Sequence, residues 1–201
     1  MARGLRLKPG QAWLVLCALL AAGAAAAALL PAAALEWRPE LALAEPWRWW
    51  TAALVHWTPR HLAANLAGAA VLAGFGWTAR APTGIAVAWA AAWPLTQLAL
   101  LAQPALQRYG GLSGVLHAGV AAVAWWLLRR DRGARRLVGG AVLAGLVLKL
   151  VLERPWAAVA VVVPEWDFPV APFAHASGAL AGLLAAVVAD AWPRRAAPLP
   201  P

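Results

Sequence analysis

Cysteine is almost missing. Cys17 is the single one, so neither a disulfide framework nor a cysteine-based metal site can form within one chain. Charge is scarce too, at 12% of residues against 63% apolar, whereas soluble domains hold roughly 45–50% apolar residues. That shortage excludes an ordinary soluble domain and makes a membrane protein the default. Acidic residues number 8 against 17 Lys and Arg, for a net charge of +9. The excess does not imply a nucleic-acid partner, because the basic residues form no groove-sized patch with interleaved aromatics. They sit in short clusters between apolar segments. No H-E-x-x-H is present, and the close histidine pair, His56 and His61, straddles a loop-to-helix junction. A metal or haem centre is therefore not expected, nor any other cofactor.

Long apolar runs are what the chain has in abundance. A helix needs roughly 20 apolar residues to cross the hydrocarbon core. The runs predict an all-α membrane bundle, one domain of six spans over 12–30, 61–77, 84–102, 113–128, 137–152 and 173–192, with a first loop over 31–60. Arg3, Arg6 and Lys8 before the first run also fit a cleaved signal peptide. The run is long enough to span, however, and the later segments need an odd span before them.

Six spans put both termini on one side. Arg3, Arg6, Lys8, Arg80, Arg129, Arg130, Arg132, Arg135, Arg136, Arg194 and Arg195 fall there, which marks that side as cytoplasmic. The opposite loops carry Glu36, Glu40, Glu45, Glu153, Glu165 and Asp167, with Arg38, Arg48, Arg60, Arg108 and Arg154 as their basic residues. Tryptophans crowd the first loop, as residues that anchor at the membrane interface do. Gly178 and Gly182 form a G-x-x-x-G in the last span, a spacing that lets helices approach closely in lipid.

Polar side chains inside a membrane are costly and are functional candidates by default. All four histidines, His56, His61, His117 and His175, fall near the outer ends of spans or in the first loop, together with Asn65 and Ser113. Gly111-Leu112-Ser113-Gly114 places a serine at a helix start, where free N–H groups can stabilise a developing oxyanion. The plainer account of those four residues is an N-cap with glycines for packing. His175, opening the last span on the same side, is the base such a serine needs. No aspartate is placed to orient it: Asp131 and Asp190 are on the cytoplasmic side, so a triad would have to recruit Asp167. A Ser-His dyad is simpler. His61 and Asn65, four residues apart, share a helix face and can both donate toward an oxyanion; they could equally bond a neighbouring helix. Lys149 and Glu153, one turn apart, could line a transport pathway, but pairing near a helix end with the lysine snorkelling is the simpler expectation.

These residues together resemble the rhomboid intramembrane serine proteases. Glu45-Pro46-Trp47-Arg48 with Thr51 and His56 is similar to the Trp-Arg motif of the rhomboid first loop. His56 with His61 and Asn65 resembles the family's histidine and H-x-x-x-N pattern, Gly111-x-Ser113-Gly114 its G-x-S-G, and His175-x-x-Gly178-x-x-x-Gly182 its H-x-x-G-x-x-x-G. The resemblance implies Ser113 as nucleophile and His175 as base, in a water-filled cavity open to the extracytoplasmic side. It also implies His61, Asn65 and the Ser113 N–H around the oxyanion, with His56, Gly111, Gly114, Gly178 and Gly182 in support, and a folding role at the bilayer surface for Trp47 and Arg48. His117 departs from the pattern: many rhomboids carry there a tyrosine that stacks on the histidine, and His117 can stack or share a proton. Gly-Leu-Ser-Gly-Val-Leu-His and the compact core resemble most the rhombosortase subgroup. Its implied substrates are membrane proteins ending in a Gly-Gly motif, a hydrophobic helix and a basic tail. A bacterial inner membrane, with the site opening to the periplasm, is the implied location. A catalytically silent relative that binds or guides membrane proteins is the alternative, and it would be expected to lack Ser113 or His175.

Overall fold

In the computed structural model, residues 8–164 and 166–192 are described; Arg3, Arg6, Glu165, Arg194 and Arg195 lie outside them. The chain runs through α1 Gln11–Ala27, α2 Ala32–Leu35, α3 Arg48–Thr51, α4 Pro59–Thr78, α5 Thr83–Leu98, α6 Ser113–Arg130, α7 Gly133–Glu153 and α8 Pro172–Ala191. Proline opens α4 and α8, a position where its missing N–H costs nothing and its fixed φ suits the helix. Thr58 caps α4 by accepting the His61 N–H at 3.1 Å.

Several expected boundaries move. The first helix stops at Ala27, and Leu29 and Leu30 donate three residues back in a tighter turn that leads to Pro31. The third ends at Leu98 and continues as a 3-10 turn over Ala99–Ala102. The fifth starts at Gly133, four residues before the expected Leu137. That early start has a cause: Arg135 pairs with Asp131 and donates to the Thr78 and Ala79 carbonyls at 3.1 and 2.8 Å. It thereby satisfies carbonyls that the end of α4 leaves open. The Arg135 hydrogen bond holds the Asp131 carboxyl below its ordinary range, with burial opposing. Arg130 pairs with Asp190 at the end of α8.

Helix α6 is the centre of the bundle. Ten of its 18 residues are buried, and it packs against α4, α5, α7 and above all α8. That last contact is made by backbone. A Cβ on Gly178 would overlap the Gly114 carbonyl, and one on Gly182 the Ala118 carbonyl. On the other side, Trp13 of α1 stacks on Trp89 of α5 at 4.4 Å and donates to the Leu72 carbonyl of α4. By contrast α7 buries only Gly139 and Leu146.

The first loop is folded. Arg48, buried, donates to Glu45 Oε2 at 2.6 Å and to the carbonyls of Ala33 and Glu36 at 3.0 and 2.6 Å. Trp37 and Tyr109 exchange backbone hydrogen bonds, tying this loop to the segment before α6.

Apolar side chains such as Leu19, Val71, Val87, Val147 and Leu184 point outward, while Glu36, Arg48, His61, Asn65, His175 and Ser177 are buried. An apolar exterior this extensive suits lipid rather than water. By length and apolarity alone, two of the described helices qualify to cross a membrane, Thr83–Ala102 and Pro172–Ala191; α1 is apolar but shorter.

Candidate active site

The backbone joint between α6 and α8 sets two side chains face to face. Ser113 is the first residue of α6 and His175 lies in the first turn of α8. His175 Nε2 is 2.9 Å from Ser113 Oγ. Leu112, not Ser113, holds the N-cap position, and no side chain caps this helix end. The serine is thus not the N-cap, and its hydroxyl faces His175.

Gly111 makes the approach possible. Its φ of +132° lies where L side chains rarely go, and a Cβ there would meet the His61 ring, 2.8 Å from Nε2. The turn before α6 can therefore press directly against α4. That brings His61 and Asn65 alongside the serine turn, and both line the same cavity as Ser113. Asn65 Nδ2 donates to the His61 carbonyl one turn back, which fixes the amide and leaves one of its two N–H groups unspent.

His117 stacks on His175, ring centres 4.3 Å apart and 12° from parallel. Its Nδ1 is 2.6 Å from the Ser113 carbonyl. A carbonyl only accepts, so that nitrogen carries the proton. The stack on His175 is thus one arrangement His117 adopts here.

His56 lies beside His61, its ring 4.7 Å from that of His61 and its Nδ1 3.0 Å from the Leu54 carbonyl. Burial holds this imidazole below its ordinary range, with the Leu54 bond opposing. Trp47 stays apart: it is about half exposed and bonds the Ala34 carbonyl at 3.3 Å. Arg48 is buried in the folded first loop, as described above.

Three residues of the site escaped the sequence reading. Phe168, in the loop after α7, stacks on His61 at 3.8 Å, in a stretch with no motif to mark it. Tyr109 is buried and bonds the Gly111 carbonyl at 3.1 Å; burial pushes its hydroxyl up. Glu153 Oε2 lies 2.9 Å from His175 Nδ1. On sequence alone only an aspartate is sought beside His175, and Glu153 is not considered for that place. Asp167, the acid considered for that place, instead accepts from Thr58 Oγ1 at 2.9 Å. Lys149 does pair with Glu153, at 2.7 Å.

The cavity around these groups has a volume of about 1250 Å³. It is lined by α4 from His61 to Phe75, by α7 from Val142 to Glu153, and by Ser113 and His175. Of its polar lining, Thr58, His61, Asn65, Ser113, Glu153 and His175 come from the starts of α4, α6 and α8 and the end of α7, and Val71, Leu72, Phe75 and Val142 make it apolar farther from those ends along α4 and α7. A serine hydroxyl, an imidazole acceptor and nearby N–H donors around one cavity are the parts that acyl transfer uses.

The family described as the rhomboid domain matches residues 43–191, most of the chain and every site residue named above. No curated protein matches it.

Proposed function

The chain belongs to the rhomboid family of intramembrane serine proteases and is an integral membrane protein, and on that footing we propose that it is an active endopeptidase that cuts transmembrane segments of other membrane proteins, with Ser113 as nucleophile and His175 as base. The observation that carries this is the 2.9 Å contact between Ser113 Oγ and His175 Nε2. In the first step Oγ attacks a substrate carbonyl carbon while its proton passes to Nε2. The carbonyl oxygen, now negative, is met by the Ser113 N–H at the start of α6, with His61 and Asn65 beside it. Collapse of this intermediate expels the amine, which takes the proton from Nε2, and leaves an acyl ester on Ser113. Water then attacks the ester carbon and gives a proton to Nε2; the bond to Oγ breaks, Oγ takes that proton back, and the acid is released.

Six spans with both termini cytoplasmic place the cavity mouth on the extracytoplasmic side, the inner membrane of a bacterium being the setting. A substrate helix must unwind to present a carbonyl to Ser113, so small or helix-breaking residues belong near the cut. The Gly-Leu-Ser-Gly-Val-Leu-His stretch supports the rhombosortase reading, with Gly-Gly-tailed membrane proteins as substrates.

A fluorophosphonate probe on the detergent-solubilised protein tests the activity. Wild type is expected to label, and Ser113→Ala and His175→Ala to lose labelling. A folded wild type that stays unlabelled, or a Ser113→Ala variant that labels equally, would shift the reading to a silent membrane-protein binder. Co-expression with a Gly-Gly-tailed protein, and with a variant lacking both glycines, tests the substrate class.

A further inference from the structure

Glu153 sits where helix electrostatics least favours it. It is the last residue of α7, at the negative end of the helix dipole, where a cation is stabilised and a carboxylate is not. Lys149 lies one turn earlier and donates to Glu153 Oε1 at 2.7 Å. The order Lys then Glu is the weaker of the two arrangements for such a pair. Helix stability therefore does not account for the acid. Its second contact does: Oε2 meets His175 Nδ1 at 2.9 Å, on the ring edge away from the nitrogen that faces Ser113.

We propose that Glu153 is the positioning residue for His175, accepting the Nδ1 proton so that Nε2 is left bare to take the proton of Ser113. The proposal rests on the protease reading above and extends its two-residue machinery to three side chains, one each from α6, α7 and α8.

Lys149 Nζ also approaches Nδ1, at 3.4 Å. An ammonium has only donors, so a true bond there would require a bare Nδ1 and a proton on Nε2, the wrong tautomer for a base. The carboxylate contact is the shorter, and the ammonium and Nδ1–H converge on separate oxygens of one carboxylate. Lys149 thus holds Glu153, and Glu153 holds the imidazole.

During reaction the proton moves from Ser113 Oγ to Nε2 and on to the departing amine. Glu153 keeps Nδ1–H as a hydrogen bond throughout and offsets the imidazolium charge. The other groups around the ring are His117, stacked on it from α6, and Lys149 of α7. Helix α5, which also packs along α8, buries the uncharged Thr96 and Gln97.

The test pairs labelling kinetics with the state of the ring. Glu153→Gln is nearly isosteric but uncharged, and it is expected to slow fluorophosphonate labelling about 10- to 100-fold. Glu153→Asp should recover part of the rate. In histidine labelled with nitrogen-15, wild type should hold His175 with Nδ1 protonated and Nε2 bare, and Glu153→Gln should give a mixture of tautomers. A wild-type labelling rate in Glu153→Gln, with an unchanged tautomer, would overturn the proposal. A wild type that never labels would overturn the protease reading instead, and the tautomer comparison would then decide the role of Glu153 by itself.

Discussion

At the residue scale, the His175 ring is held on two sides: by the His117 face and by the Glu153 edge. Stacking needs an aromatic plane rather than a second histidine, so His117→Tyr should keep most of the labelling rate. His117→Ala, which frees the ring to turn, should lose about tenfold; equal rates in the two variants would remove the stack from consideration. His56 offers a different measurement. Its folded-state affinity for protons is lowered by burial, so below about pH 6.5 the unfolded chain binds a proton that the folded one resists. Stability should fall as pH drops through that value toward the lower folded-state pKa, and His56→Phe should flatten this part of a pH series of thermal melts. Ser113 and His175 were legible in the sequence because each opens a helix amid glycines and few other polar residues interrupt the apolar runs. Glu153 was legible only as a partner for Lys149. Nothing local marks an acid that reaches a histidine 22 positions away, and Asp167 looked nearer in the chain.

At the scale of elements, the joint between α6 and α8 has little tolerance. Gly178→Val would drive a side chain into the Gly114 carbonyl and should cost about 3 kcal/mol or more in a detergent unfolding titration, at the upper end of overpacking effects. Gly74 is the control, because a Cβ there meets nothing within 4 Å. Gly74→Ala should leave stability unchanged or raise it by up to about 1 kcal/mol, since alanine is the better helix former. If both substitutions behaved alike, close backbone contact would not be what sets the spacing of these helices. The positions of the long helices could be read from apolar runs, but their ends could not. Arg135 and Arg136 count as loop residues by hydropathy, yet they extend α7 because Arg135 finds acceptors on α4, a tertiary contact that no window average contains.

At the scale of the whole molecule, the uneven distribution of Lys and Arg makes a topological prediction that the single cysteine makes easy to check. In a Cys17→Ala background, Ala160→Cys should react with a membrane-impermeant maleimide on intact spheroplasts, and Arg132→Cys only after lysis. The reverse pattern would invert the orientation. The bundle and its general class were legible from composition, because lipid-facing apolar surface leaves its mark on every segment. The covering of the site was not, since the stretch from Arg154 to Ala171 reaches α4 through Asp167 and Phe168, two contacts more than 100 residues apart in sequence. One property of the assembled molecule follows from the glycine joint. Where two main chains touch with no side chain between them, there is no dial to turn: substitution there is all or nothing. Sequence drift can rewrite the greasy exterior position by position, while the gap between hydroxyl and imidazole keeps the same width, like a gauge block ground to one size.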